Sequence, residues 1–451
     1  MDTTIAAIST GITPAGIAII RVSGPEAIAI ADKIFFGKKK LKNVKTHTIH
    51  YGEIRDNDQV LDEVLCSVMK APHTFTGEDT VEVNCHGGIL VAGKILDLLL
   101  RSGATPAEPG EFTKRAFLNG RMDLSKAEAV MEVIQAKNQY ALRSSVSHLR
   151  GDVSKKVREL REKILDECAF IEAALDDPEH YDLTDYKELL SERVEPILAD
   201  LKTLSDRSDY GSILNEGVKT VIAGRPNAGK SSLLNLLSGH EKAIVTDIAG
   251  TTRDVLEVSV ILKDISLVLL DTAGLRETND VVEKIGVDRA REAMNSADLV
   301  LYVIDGAAGV TEEDKIALSS ISDKPILILW NKNDCRKYNE EASSFGYPVI
   351  PFSCITGEGK DLLEENILKL FGTEKLSYGE DVVLSNDRQK VLLRKAIASL
   401  KLVKDGIKDE LSEEFLSVDL VNAYTALGEI IGEEVSDDVI NRVFEKFCMG
   451  K

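Results

Sequence analysis

Hydrophobic positions along this chain change their spacing three times, and each change marks a different kind of structure. Over residues 1–118 short apolar runs at Ile5 to Ile8, Gly16 to Val22, Val64 to Met69 and Thr80 to Asn84 predict strands. Apolar positions three and four apart at Pro25 to Ile34 and Leu90 to Leu100 predict helices between them. A compact α/β unit is expected there. From Leu124 to about Leu204 the spacing is helical, with Val153, Val157, Leu160, Ile164, Cys168 and Ile171 on one face of a long helix. Only the breaker stretch around Asp177 and Pro178 interrupts it. Strand-length runs return at Val221 to Ala223, Leu267 to Leu270 and Ile326 to Leu329. Helical spacing then resumes with Val391, Leu392, Ile397 and Leu400, followed by Leu416, Leu420, Ala423, Leu427 and Ile430.

This order predicts a multidomain α/β plus α chain: residues 1–118 an N-terminal α/β domain, 119–215 and 377–451 two parts of a helical domain, and 216–376 an α/β domain inserted between them. Two separate helical bundles flanking the insert are the alternative. A single interrupted bundle is favoured because neither half offers obvious caps for a core of its own. Both ends of the insert join helices, so a change in it has a path to the rest of the chain.

Composition narrows the setting. At 451 residues with 43% hydrophobic positions the chain can bury several cores. Cysteines 66, 85, 168, 335, 354 and 448 form no CxxC pair and no zinc-like spacing, which fits a reduced, cytoplasmic protein without a structural metal cluster. Met1 to Thr10 lacks the basic start and apolar stretch of a signal sequence, and no run approaches the roughly 20 apolar residues of a membrane span. The formal charge of −20 excludes bulk electrostatic binding of nucleic acid. Residues 1–118 carry 13 Lys and Arg against 14 Asp and Glu, a net of −1 that leaves −19 for the rest. An RNA contact would need a local patch such as Lys38, Lys39, Lys40, Lys42 and Lys45, whose plain reading is a solvated loop.

Five motifs in order carry the chemistry: GRPNAGKS at 224–231, GTTRD at 250–254, DTAG at 271–274, NKND at 331–334 and SCITG at 353–357. In the first, Gly224 and Gly229 let backbone amides curl around phosphate oxygens, Lys230 reaches the outer phosphates and the Ser231 hydroxyl holds magnesium. It follows an apolar run and precedes Leu233, Leu234, Leu236 and Leu237, the strand, loop and helix setting such a loop requires. Asp271 ends an apolar run, at a strand's carboxyl end where doubly wound sheets bind ligands, within reach of the magnesium shell. Thr252 offers a second hydroxyl to that metal. Asp334 can accept hydrogen bonds from the N1 and N2 groups of guanine, a donor pair that adenine lacks, so the expected ligand is GTP. NKND alone would pass for a polar turn; behind a phosphate loop it reads as the base-selecting element. GTP contacts are expected from Asn227, Ala228, Gly229, Lys230, Ser231 and Ser232, from Thr246, Asp247, Ile248, Ala249, Gly250, Thr251 and Thr252, from Asp271, Thr272, Ala273 and Gly274, from Asn331, Lys332 and Asp334, and from Ser353 and Cys354.

The residue after DTAG is Leu275, where many GTPases carry a glutamine that orients the attacking water. Another group must position the nucleophile. Glu283 is the candidate, its plain reading being a solvated acid at a helix start. Lys230, Thr252 and Glu283 form the expected hydrolytic set.

The motif order, the GTTRD spelling and the apolar residue after DTAG resemble the potassium-activated branch of translation-factor-type GTPases. That resemblance implies a potassium ion held by Asn227, Thr246, Ile248 and Thr251, supplying charge that an arginine finger supplies elsewhere. Across the whole chain, IIRVSG at 19–24, FTGEDTVEVNCHGG at 75–88, PGEFTKRAFLNGRMDLSKAEAV at 109–130 and the terminal FCMGK at 447–451 resemble the MnmE, or TrmE, family of tRNA-modification GTPases. The resemblance implies a homodimer that works with an FAD-containing flavoprotein of the MnmG, or GidA, type in a heterotetramer. Such a complex adds an aminomethyl or carboxymethylaminomethyl group at C5 of the wobble uridine of certain tRNAs, with a 5-formyl- or methylene-tetrahydrofolate as one-carbon donor. It further implies folate contacts from Arg21, Glu82, Arg121 and Lys451, and a role for Cys448 in the modification. Some relatives have lysine at position 121, and arginine is not a simple replacement at a bidentate site. Without the resemblance Cys448 would pass for an inert thiol on a frayed tail. Two other classes share parts of the pattern: a ribosome-assembly GTPase, which should carry a basic RNA-binding module beyond residue 372, and a folate enzyme that a GTPase merely regulates.

Overall fold

The computed structural model describes residues 3–181, 183, 185–239, 258–262, 265–270, 297–321, 324–338, 342–371 and 382–451. They divide into two compact units: residues 1–131, 148–186 and 402–451 form one, and residues 132–147 and 187–401 the other.

The first unit is built on a seven-stranded sheet. Its strands are β1 (Ile5–Ile8), β2 (Ala15–Ser23), β3 (Phe35–Gly37), β4 (Thr48–Asp56), β5 (Gln59–Met69), β6 (Thr80–Gly87) and β7 (Thr105–Pro106), in the order β3-β4-β5-β6-β2-β1-β7. Helices Ala27–Ile34 and Ile89–Arg101 bury one face of this sheet, packing Ile30, Ile34, Ile95 and Leu99 on Ile20, Val22, Val64, Val68, Val81 and Val83. Side chains on a strand alternate faces, so residues paired across strands share one. Ile49, Ser67, Glu82 and Arg21 therefore form one row on the sheet's other face, and Tyr51, Leu65, Asn84 and Ile19 the next. Strand β4 escaped the sequence reading because its inward positions include Gly52 and its outward ones are Ile49, Tyr51, Glu53 and Arg55, which blurs the alternation.

Helix Asp152–Asp176 confirms the long amphipathic element, with Val153, Val157, Leu160, Ile164 and Ile171 buried. It packs on helix Glu413–Ile431, where Arg161 threads past Gly428, stacks 3.9 Å from the Tyr424 ring and pairs with Glu433. Helix Asp437–Phe444 leads into the C-terminal residues and buries Phe444 with Phe447, Leu124 and Met131.

The second unit holds a six-stranded sheet: β8 (Val218–Ala223), β9 (Val258–Leu262), β10 (Ile265–Leu270), β11 (Leu299–Asp305), β12 (Ile326–Asn331) and β13 (Val349–Pro351), ordered β13-β12-β11-β8-β10-β9. All neighbours are parallel except β9 with β10. Helices Lys230–Gly239 and Lys360–Leu370 cover one face through Leu233, Leu237, Leu363 and Ile367, and helix Glu312–Ser319 lies on the other with Leu318. This is the doubly wound architecture expected for residues 216–376. Its order reverses beside β8, the switch point at which such sheets take ligands beyond the strands' carboxyl ends. No helix among the described residues is long and apolar enough to cross a membrane.

Candidate functional site

The turn after β8 is shaped by backbone that only certain residues accept. Asn227 has φ 61° and Gly229 φ +105°, and a Cβ on Gly229 would collide with the Asn331 amide. The helix that follows starts at Lys230 and directs its amide end at this turn. Lys230 Nζ donates to the carbonyls of Gly224 (2.7 Å) and Arg225 (2.8 Å), and burial lowers its pKa. A desolvated ammonium resting on carbonyls gains from an incoming anion, which restores the charged state that burial disfavours.

Residues from β12 and from the turn after β13 close on the same loop. Asn331, buried at the end of β12, donates to the Ala228 carbonyl (2.8 Å) and accepts from the Cys354 amide (3.2 Å), tying three motifs together. Lys332, at φ 63°, reaches Asp305 Oδ2 (2.6 Å) and the Asn227 carbonyl (3.4 Å). Burial resists ionisation of Asp305, but the Lys332 contact together with the Ala307 and Ala308 amides holds the carboxyl below its usual value. Asp334 accepts from the buried Ser353 hydroxyl (2.6 Å), which holds its carboxyl below the ordinary range. Ser353 is itself locked, its hydroxyl accepting from the amides of Ile355 and Thr356 and its amide bonding the Glu358 carbonyl. Asn333 spans to Glu358 Oε1 (2.9 Å). Burial pushes the Cys354 thiol up to about 11, so it contributes its amide rather than a thiolate.

An ionised, exposed carboxylate steadied from behind, some strands from a left-handed amide loop, can grip a base with two donors while the loop takes phosphates. Asp305 and Glu358 were missed in the sequence. Asp305 had a legible signal, since it ends the apolar run of β11 as Asp271 follows the apolar run Leu267 to Leu270 in the sequence. The expected contacts Thr246, Asp247, Ile248, Ala249, Gly250, Thr251 and Thr252, with Asp271, Thr272, Ala273, Gly274 and Glu283, lie outside the described residues.

In the first unit, Arg21 and Glu82 meet across β2 and β6, with Arg21 Nε 2.9 Å and its terminal nitrogen 2.8 Å from Glu82 Oε1. The guanidinium lies 5.7 Å from the Phe75 ring centre and 5.6 Å from that of Phe112. The C-terminal residues are docked here rather than frayed. Ser9 Oγ donates to the Gly450 carbonyl (2.9 Å), the Phe112 amide to the Lys451 carbonyl (3.2 Å) and the Gly110 amide to the Cys448 carbonyl (3.4 Å). Gly450 has φ +82°, and a Cβ there would strike the Ile8 carbonyl. This seats Lys451 beside Arg21 and Glu82; burial first, and Arg21 second, lower its pKa, with Glu82 opposing. Arg121 donates from Nε to the Thr74 carbonyl (3.0 Å), on the loop that carries Phe75. That loop hangs on Arg115, almost wholly buried, which bonds Thr3, Glu78 and Glu111. Two cations crowded over one carboxylate and two aromatic rings suit a flat ligand with an anionic tail. The sequence held no signal for Phe75 and Phe112 as ring partners of Arg21. Cys448 is exposed.

Residues 124–448 match the family model of the MnmE helical domain, and residues 4–121 that of the GTP-binding protein TrmE N-terminus. The chain is 47% identical over 454 residues to the tRNA modification GTPase MnmE of Lachnoclostridium phytofermentans, covering 99% of both chains. It is 46% identical over 462 residues to that of Bacillus subtilis (strain 168), covering all of both. Among solved structures, the G domain of the T. maritima FeoB iron transporter matches 34% of this chain and 98% of its own at 30% identity with a TM-score of 0.27. Era in complex with MgGDPNP and a 16S ribosomal RNA fragment matches 42% of this chain and 65% of its own at 27% identity, also with a TM-score of 0.27.

Proposed function

The chain belongs to the family of tRNA modification GTPases MnmE, and from that premise we propose that it hydrolyses GTP and uses the hydrolysis to modify the wobble uridine of tRNA at C5. The observation that carries the reading is the hydrogen bonding that brings the phosphate loop, Asn331, Asp334 and Ser353 together, which supports a guanine-nucleotide site there. Ser231 and Thr252 would hold magnesium, which would supply charge neutralisation at the phosphates. Lys230 leaves its two loop carbonyls to hold the outer phosphates, and Glu283 positions the attacking water. Asn227, Thr246, Ile248 and Thr251 would hold potassium, which would supply positive charge at the phosphates; this part rests on the motif resemblance. The second unit's pocket is an insert in the helical domain, which gives it a path to the rest of the chain.

Tetrahydrofolate is the one-carbon donor, held by Arg21, Glu82, Arg121 and Lys451. The lowered pKa of Lys451 beside Arg21 supports an anionic ligand there, and Phe75 and Phe112 support a planar one. Cys448, two residues from that cluster's Gly450, serves the modification. The chain works as a homodimer with a flavoprotein of the MnmG type. The open sheet face supports a dimer through the first unit: Ile49, in the row of Arg21 and Glu82, is 66% exposed, and Tyr51, in the row beside it, is 63% exposed.

The test is the nucleoside content of tRNA from a strain lacking the protein. Loss of the 5-substituted wobble uridine supports the assignment, and an unchanged profile would leave a folate enzyme or a ribosome-assembly GTPase instead. Hydrolysis by the purified protein, faster in potassium than in sodium and levelled by Asn227→Ala, tests the cation; equal rates in both salts count against it.

A further inference from the structure

Arg225 follows Gly224 at the start of the phosphate loop, yet its guanidinium is engaged elsewhere. Its Nε lies 3.1 Å from Oδ1 and 3.0 Å from Oδ2 of Asp314 in helix Glu312–Ser319, and a terminal nitrogen donates to the Gly309 carbonyl (3.3 Å). The Asp314 side chain is fully buried. Its other partners are the Thr311 amide (3.0 Å), the Thr311 hydroxyl (2.8 Å) and the Tyr302 hydroxyl (3.1 Å). Burial raises the pKa of Tyr302 and Asp314 adds to it, so the phenol stays a donor.

Thr311 and Asp314 form a reciprocal cap for their helix. Capping needs an acceptor, not a buried full charge, and helices Glu413–Ile431 and Asp437–Phe444 of this chain start without such a box. A buried carboxylate is tolerated when a cation and several donors surround it, and here the cation comes from the phosphate loop. The residue so anchored is also the one whose carbonyl receives Lys230 Nζ (2.8 Å) and the Ala228 amide (3.3 Å).

We propose that Asp314 is a positioning residue for nucleotide binding: acting through Arg225, it holds the first turn of the phosphate loop in the shape that receives the phosphates. The two residues are 89 apart in sequence, and Asp314 belongs to none of the nucleotide motifs. A purely structural role and a positioning role separate cleanly. Arg225→Met strands Asp314 as an unpaired buried charge and lowers the thermal midpoint of the full-length protein. Adding Asp314→Asn removes that charge and restores most of the midpoint. Positioning requires that affinity for a fluorescent GDP stay about tenfold weaker in both the single and the double variant, as expected for residues coupled in one network. Under turnover, KM for GTP rises by about the same factor while kcat at saturation holds, the pattern of lost binding rather than lost chemistry. Arg225→Lys, which keeps the charge without the planar fork, falls between.

Affinity that recovers together with the midpoint in the double variant would overturn the proposal and leave Asp314 as a helix cap. Should Arg225→Met fail to fold, Asp314→Asn alone decides: about tenfold weaker GDP binding sustains the proposal, and unchanged binding ends it. Failure of the unsubstituted protein to bind GDP would instead count against the nucleotide reading itself.

Discussion

The two sites proposed for an anion are made differently. At the phosphate loop the seat is main chain: left-handed Asn227 and Gly229, the amide end of helix Lys230–Gly239, and carbonyls that park Lys230. Beside Arg21 it is side chain: guanidinium, ammonium and carboxylate from β2, β6 and the last residue of the chain, walled by Phe75 and Phe112. A main-chain seat is shaped chiefly by consecutive residues, and distant groups such as Asn331 only steady it. A side-chain seat exists only while distant segments stay docked. The difference teaches where each is vulnerable, the first in its backbone conformation and the second in its assembly.

The largest effects should come from attacking each seat by its own weakness. Gly229→Val places a branched side chain at φ +105° against Asn331, and nucleotide affinity should fall on the order of 10³-fold or more, since strain and clash together exceed the ~1–3 kcal/mol of an unfavourable backbone alone. Titration with a fluorescent GDP reads it, and folate binding should be untouched. Deleting Cys448 to Lys451 should do the converse, lowering folate affinity by on the order of 10²-fold, as for lost charge-assisted bonds, with GDP binding intact. If each deletion or substitution disturbed both ligands equally, the two seats would not be independent.

Within the nucleotide pocket, Asp334→Asn removes the acceptor for guanine's two donors. GTP affinity should drop by on the order of 10²-fold and xanthosine triphosphate should become the better ligand, because a site built for hydrogen bonds discriminates by leaving groups unpaired. Competition between the two triphosphates measures the switch; retained GTP preference would remove Asp334 from the base site.

The Lys451 ammonium gives the side-chain seat a pH signature. Its pKa is below 10.5 in the folded protein, so the unfolded chain binds the extra proton, and stability rises with pH between the lowered value and 10.5. A bound carboxylate favours the charged lysine. Folate binding therefore takes up a proton in that interval, and affinity falls as pH rises through it by up to about tenfold per unit. Lys451→Gln should bind more weakly and lose the slope; an identical pH profile would show that Lys451 makes no contact.

The smallest effect is expected from Ser353→Ala. The Ser353 hydroxyl is the main reason the Asp334 carboxyl lies below its ordinary value, and removing it should raise that pKa toward normal and weaken GTP binding by only about three- to tenfold at neutral pH, because Asp334 stays ionised there and keeps its acceptors for the base. A loss as large as that of Asp334→Asn would mean that Ser353 touches the nucleotide directly.

The sequence by itself determined the motifs whose chemistry lies in consecutive residues. GRPNAGKS could be read because φ/ψ demands at Asn227 and Gly229 and the helix start at Lys230 are local, and NKND with SCITG because each is one turn after an apolar strand. The long helix Asp152–Asp176 followed from burial on one face, which imposes a period on the residues themselves, and strands β1, β2, β5, β6, β8, β10 and β12 from their apolar runs, whereas β3, β4, β7, β9, β11 and β13 were not read. Tertiary structure alone decided what depends on separation. Asp305 becomes the partner of Lys332, and Asp314 that of Arg225, only because parallel strands β8, β11 and β12 align their carboxyl ends. Lys451 reaches Arg21 only because Gly450 packs under the Ile8 carbonyl and Phe444 and Phe447 bury the turn before it. Spacing along a chain encodes what a single helix or strand can bring together; contacts across several hundred residues are set by the packing of cores, and no local pattern carries them.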